Sequence, residues 1–258
     1  MQPIHPMLAG KKALIIGIAN EHSIAYGCAK AFRAAGCELA ITYLNDKAKP
    51  YVDPLAAELT PSIYLPCDVT DEAQLAEVFS AMERQWGTVD IVLHSIAFAP
   101  KNDLHGRLTD SSREGFLQAM DISCHSFTRM ARLAEPLMKN GGALLTMSYY
   151  GSEKVIPHYN LMGPVKAALE SSVRYLAAEL GSKRIRVLAI SPGPLKTRAA
   201  SGLDRFDELL AKAAKKAPLH QIVDIDDIGS ATCFFASDQA RHITGETIYI
   251  DAGYHIMG

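Results

Sequence analysis

The chain has 258 residues, 48% of them hydrophobic, and a formal net charge of -2. This is enough apolar material for a sizeable core, and the length suits one large α/β domain over 1–258 better than two small ones. The weak charge leaves no overall basic footprint for nucleic acid, no stretch is long and apolar enough to insert in a membrane, and the opening MQPIHPMLAGKKALIIGIAN has no basic region ahead of its short apolar run, so a cytoplasmic protein is expected.

Strand-like apolar runs alternate with amphipathic stretches from the start. KALIIG at 12–17 precedes a helical pattern from Ser23 to Ala35, and CELAITY at 37–43 completes a βαβ unit. Next come a helix near 47–60, the strand SIYLPC, a helix from Asp71 to Trp86, the strand DIVLHSIA, a long helix near 111–139 and the strand GALLTMS. A helix from Tyr159 to about Gly181, the strand RVLAIS, an irregular region from Pro192 to Pro218, a helix opened by DIDD and the strand ETIYIDAG complete the order. Seven strands separated by helices predict a Rossmann-like, doubly wound parallel sheet with helices on both faces. The region 192–218 is long for a connection and contains its own helical pattern, FDELLAKAAKK, which suits a substrate lid. The five cysteines form no CxxC pair and the nine histidines form no HExxH, so reduced core thiols and no metal are expected.

In such a sheet a ligand binds beyond the carboxyl ends of the strands. After the first strand, Gly17 ends the run, Ser23 is placed to cap the next helix and Ile24 opens it, which would set a phosphate at a helix start. In CDVT, Asp68 could accept from an adenine amino group beside apolar Val69. HSIAFAP supplies small residues and backbone at Ser95, Ile96 and Ala97, and SPGPLKT offers a rigid turn at Leu195 with Thr197 placed for phosphate. Together these outline a dinucleotide. After the second strand, YLND has no arginine to grip a 2′-phosphate and only Lys47 nearby, which favours NADH over NADPH.

The order of these segments resembles the short-chain dehydrogenase/reductase superfamily over almost the whole chain. More narrowly, GIANEHSIAYG, CDVT, HSIAFAP, MDIS, YNLMGPVK and PGPLKTRAASG are similar to the enoyl-[acyl-carrier-protein] reductases of bacterial fatty-acid synthesis. The resemblance implies reduction of a trans-2-enoyl thioester on acyl carrier protein by a nicotinamide cofactor, in a homotetramer. It also implies a substrate pocket drawn from Ala97, Phe98, Ala99, Tyr149, Tyr159, Met162, Ala199 and Ala200.

Two tyrosine–lysine pairs compete in SYYGSEKVIPHYNLMGPVK at 148–166. Tyr150 and Lys154 have the superfamily's common Tyr-x3-Lys spacing, but Gly151 and Pro157 leave no stable helix to orient them. Tyr159 and Lys166 open a long amphipathic pattern, where seven residues make nearly two turns and place both on one face, about 10.5 Å apart along the axis. That separation suits a conjugated thioester: the hydride enters at the β carbon while charge appears on the carbonyl oxygen. Tyr159 would face that oxygen, and Lys166 would hold the cofactor ribose. The resemblance places Tyr149 on the pocket wall. Ala97 stands where many relatives carry glycine, and Pro164 would remove one bond from the catalytic helix and free the Asn160 carbonyl. A reductase of ketones or 3-oxoacyl groups and a non-catalytic dinucleotide-binding regulator are the alternative readings.

Overall fold

The protein is described from a computed structural model over residues 6–195, 197 and 206–257, without the side chains of Phe206 and Leu209. The predicted runs form β1 (Lys12–Ile16), β2 (Glu38–Tyr43), β3 (Ile63–Pro66), β4 (Ile91–His94), β5 (Gly142–Met147), β6 (Ile185–Pro192) and β7 (Thr247–Ile250). They make one parallel sheet in the order β3-β2-β1-β4-β5-β6-β7. The direction of winding reverses between β1 and β4, which opens a crevice at their carboxyl ends.

The helices are α1 (Ile24–Ala34), α2 (Lys49–Leu59), α3 (Glu72–Trp86), α4 (Lys101–Leu104), α5 (Arg113–Met120), α6 (Ser126–Ala134), α7 (Met162–Leu180), α8 (Phe206–Lys216) and α9 (Ile225–Ala236). Alternation along the strands sends side chains to both faces. Ala13 and Ile15 of β1 pack with residues of α1, α2 and α9, whereas Leu14 and Ile16 pack with those of α3, α6 and α7. Local chemistry fixes several helix starts. Asp71 accepts from the Ala73 and Gln74 amides at the head of α3, Ser112 accepts from Gly115 at α5, and Asp224 forms a capping box with Asp227 at α9. The α1–α9 pair needs two glycines: a Cβ on Gly27 would lie 2.2 Å from the Ile225 carbonyl oxygen, and one on Gly229 would lie 2.4 Å from that of Gly27.

Two helix expectations need correction. The long helix at 111–139 is interrupted by a π turn at Asp121–His125 and ends in a 3-10 turn at Glu135–Leu137. Within it the Ser126 hydroxyl donates back to the Ile122 carbonyl at 2.6 Å, a bond that perturbs helical regularity. The second correction concerns α7, which begins at Met162 and not at Tyr159. His158 and Asn160 have φ of 66° and 36°, so the chain reaches the helix through a left-handed turn. Pro164 is then the third helical residue, where no N–H is needed, and the Asn160 carbonyl accepts from the Gly163 amide at 3.0 Å. The proline therefore breaks no bond.

The π turn serves the sheet. His94, fully buried at the end of β4, has Nδ1 2.8 Å from Thr146 Oγ1 and Nε2 2.8 Å from Ser126 Oγ. Because the Ser126 proton is committed to Ile122, Ser126 accepts from Nε2–H, and Thr146 donates to Nδ1. Burial, with Lys166 nearby, pushes the His94 pKa down from 6.5 to about 3. The unfolded chain thus binds more protons in that window. His94 should contribute its full stability above pH 6.5 and lose it progressively as pH falls towards 3. Urea unfolding across this range should show a steeper acid loss for the wild type than for His94→Asn, and equal slopes would contradict the assignment.

Candidate active site

The crevice is built from strand ends that approach unusually closely. Gly17, just past β1, has φ +117°, and a Cβ there would sit 2.1 Å from the Ser95 carbonyl oxygen just past β4. Ser95 in turn donates its amide to the Ile16 carbonyl at 2.9 Å. The turn from β1 into α1 corrects one expectation. Ser23 occupies the position before α1, but its hydroxyl makes no cap bond and accepts from the Ala19 and Asn20 amides, both at 3.0 Å. It closes the turn on itself. The first-turn amides at Ile24 and Ala25 therefore remain the donors that a phosphate would meet.

At the end of β3, Asp68 is spared capping duty because Asp71 caps α3. Its Oδ1 accepts from the Thr70 amide and hydroxyl at 2.9 and 2.7 Å, which fixes the carboxylate at the rim. Val69 is buried beside it, and its carbonyl accepts from Arg129 at 2.8 Å. Past β4, Ser95 and Ile96 are half-buried, Ala97 and Phe98 are exposed and Ala99 is half-buried. Ser123, fully buried in the π turn, accepts from the Phe98 amide at 2.9 Å and donates to the Phe98 carbonyl at 3.0 Å. Two such bonds, each worth about 1 kcal/mol net, hold this loop in place. The motif MDIS marked the segment, but nothing in its residue types announced the clamp.

Beyond β5 the two tyrosines meet. The Tyr149 and Tyr159 rings contact edge to face with centroids 4.8 Å apart, and burial raises the pKa of both hydroxyls above the ordinary tyrosine value. Gly151 makes room for this pair, since a Cβ there would lie 2.4 Å from Tyr159 Cδ1. Lys166, on α7, is buried and donates from Nζ to the Met147 carbonyl at 2.6 Å. Desolvation lowers its pKa from 10.5 to about 8, against the opposing pull of Cys124 and Glu170.

The competing pair is dispersed. Tyr150 is buried in a short 3-10 turn among the rings of Tyr249, Tyr254 and His255, while Lys154 is exposed. Exposed His158 lies outside the pair as well. Tyr159 lies in the turn ahead of α7 and Lys166 on α7 itself, so the two do not share one helical face as the spacing suggested. Met162 is buried in the cluster with Leu161 and Val165 against which Tyr159 and Ala99 also pack. Leu195 is buried and Thr197 half-buried beyond β6, whereas Ala199 and Ala200 lie outside the described residues.

This geometry has close counterparts. The family model described as enoyl-(acyl carrier protein) reductase matches residues 17–255. The NADH enoyl-[acyl-carrier-protein] reductase 1 of Rhizobium meliloti is 49% identical over 98% of this chain and 93% of its own length. The corresponding NADH enzyme of Aquifex aeolicus is 47% identical over 98% of this chain and 94% of its own. Among solved structures, an enoyl-(acyl-carrier-protein) reductase of Anaplasma phagocytophilum in complex with NAD aligns with a TM-score of 0.93 at 48% identity, over 98% of this chain and 94% of that one. With the crevice at the β1–β4 reversal and a tyrosine pair beside a buried lysine, these matches show that the chain belongs to the enoyl-(acyl carrier protein) reductase family.

Proposed function

We propose that this chain reduces the trans-2 double bond of enoyl thioesters carried on acyl carrier protein, with NADH as the reductant, in fatty-acid synthesis. The observation that carries the reading is the Tyr149–Tyr159 ring contact just beyond β5, whose last carbonyl, that of Met147, accepts from buried Lys166. NADH, when bound, supplies the hydride. The Tyr159 hydroxyl, kept protonated by its burial, donates a hydrogen bond to the thioester carbonyl oxygen, where negative charge develops. Tyr149 packs edge-on against it and fixes the ring while walling the pocket. One Lys166 N–H is spent on Met147, which aims the remaining two at the ribose hydroxyls of the cofactor.

We assign the rest of the cofactor to the strand ends. The first-turn amides at Ile24 would receive the phosphates beside Gly17, whose missing side chain lets the ends of β1 and β4 close together, with Ser23 shaping the turn. Asp68 and Val69 would border the adenine, and Ser95, Ile96, Ala97, Leu195 and Thr197 would surround the nicotinamide half. Phe98 and Ala99 would continue the wall towards the acyl group. Exposed apolar residues on three separate elements, Phe116 and Leu117 of α5, Tyr175 of α7 and Ile256 near the end, support a homotetramer, which light scattering would test. Among the described residues no helix is long and apolar enough to cross a membrane.

The surroundings of β2 bear on cofactor choice. The Asn45 side chain accepts from the Lys47 and Ala48 amides at 3.1 and 3.0 Å, closing the turn, and Lys49 is held by Asp53 at 2.8 and 3.0 Å. Exposed Lys47 is not part of that pair, and Asp46 stands beside it in sequence. Oxidation of reduced cofactor should be followed with crotonyl and acetoacetyl thioesters, each offered with NADH and with NADPH. Turnover is expected with crotonyl thioester and at higher kcat/KM with NADH. Turnover with acetoacetyl thioester alone would establish the ketone-reductase reading, and cofactor binding without turnover of either would establish the regulator. A higher kcat/KM with NADPH would show that Lys47 or a more distant group reaches the 2′-phosphate.

A further inference from the structure

Glu170 lies on α7 one turn beyond Lys166 and is equally sheltered, with relative exposures of 5% and 3%. A carboxylate buried at this depth is costly unless it is hydrogen-bonded. Its Oε1 accepts from two hydroxyls: that of Ser148, which directly precedes Tyr149, and that of Ser152, which follows Gly151 at 2.7 Å. Both donors come from the turn after β5. This one oxygen therefore ties α7 to both ends of the five residues 148–152, which carry Tyr149 and the Gly151 face against which the Tyr159 ring rests.

Resting on the assignment of Tyr159 and Lys166 above, we infer that Glu170 is a positioning residue for this reaction: through Ser148 and Ser152 it sets the Tyr149 turn, and through its charge it supports the Lys166 ammonium one helical turn away. Residues four apart on a helix share a face with about 6 Å of axial rise, close enough in a dry interior for a carboxylate to favour the neighbouring cation. The other groups around Lys166 do not replace it. His94 from β4 is held neutral and the Tyr159 hydroxyl stays protonated, while Cys124 from the π turn also favours the ammonium but, as a buried thiol whose own pKa is raised, gives no tether to the Tyr149 turn. Desolvation alone would push Lys166 lower, and Cys124 and Glu170 both oppose that fall. A core residue kept only for packing would require neither the charge nor the two serines.

The inference separates into two measurable parts. In Glu170→Gln the amide oxygen can still accept from the serines but the charge is gone. Its dissociation constant for NADH should begin to rise at a pH about one unit lower than in the wild type, the lower end of the effect of one nearby opposite charge. In Ser148→Ala/Ser152→Ala the charge remains but the tether is lost. Here kcat with crotonyl thioester should fall about tenfold, as for a misplaced reacting group, while the pH at which NADH binding weakens stays unchanged. Each variant should be assayed after its far-ultraviolet dichroism and thermal midpoint are measured, with Tyr159→Phe alongside. A folded Glu170→Gln enzyme with the wild-type pH profile, or a folded double-alanine enzyme with wild-type kcat, would overturn the corresponding part. If Tyr159→Phe also turned over at the wild-type rate, the fault would lie in the assignment of Tyr159; if Tyr159→Phe alone were impaired, it would lie in the role given to Glu170.

Discussion

Tyr159→Phe should lower the rate of the chemical step by a factor on the order of 10² to 10⁴, the range for a positioned donor at a developing oxyanion. NADH affinity should hardly change, because the ring survives and with it the edge contact to Tyr149 and the packing on Gly151. Lys166→Ala should behave in the opposite sense. It removes the ammonium that we assign to the ribose and leaves the Met147 carbonyl without that donor, so NADH binding should weaken markedly. Tyr150→Phe keeps the aromatic cluster with Tyr249 and Tyr254, and Lys154→Ala alters an exposed side chain, so both should retain nearly full turnover. Single-turnover rates and NADH titrations on the four variants would check this. Loss of activity in folded Lys154→Ala together with normal NADH binding by Lys166→Ala would reverse the assignment.

Gly17→Ala should be the most damaging single-methyl change in the crevice. Its φ of +117° lies outside the range comfortable for alanine, a strain of about 1–3 kcal/mol. The new Cβ would also be driven to 2.1 Å from the Ser95 carbonyl oxygen, and since backbone cannot rotate aside, overpacking adds about 1–3 kcal/mol. For a chain of this length the sum corresponds to a fall in melting temperature on the order of 10 °C. Parting β1 from β4 would also strain the Ser95-to-Ile16 hydrogen bond and displace the loop that we assign to the nicotinamide, so NADH affinity should drop too. Gly10→Ala supplies the control. It has φ of +73° but nothing within 4 Å of a Cβ, so it should show the backbone cost alone and leave NADH binding intact. Equal losses in the two variants, by calorimetry and titration, would contradict the close-approach argument.

Much of this architecture could be read from periodicity. The apolar runs KALIIG and CELAITY and the capping aspartates Asp71 and Asp224 announced strands and helix starts, because burial and orphan amides impose local patterns. Tyr159 and Lys166 stood out by their context. That Tyr159 lies ahead of α7 and not on it did not, because the left-handed turn at His158 and Asn160 is held by tertiary contacts such as the Asn160 side-chain bond to the Leu104 carbonyl, 56 residues away in sequence. The π turn escaped for a similar reason: Asp121–His125 looks helical residue by residue, and only the Phe98 backbone and buried His94 explain the placement of Ser123 and Ser126. Ser23 had a cap residue's identity and position, yet the loop at Ala19 and Asn20 claimed its hydroxyl. Glu170 is a further case, since its serines lie 22 and 18 residues away and a glutamate on an amphipathic helix reads as solvated surface.

The central claim is that hydride passes to the β carbon of an enoyl thioester beneath Tyr159. It is tested most directly with NADH deuterated at the transferable position and an equimolar mixture of crotonyl and acetoacetyl thioesters, the products being resolved by mass spectrometry and carbon NMR. The account predicts a saturated butyryl thioester with one deuterium at the β carbon, formed at a rate that Tyr159→Phe sharply reduces. A deuterated 3-hydroxybutyryl thioester as the main product, with the crotonyl thioester recovered unreduced, would contradict it.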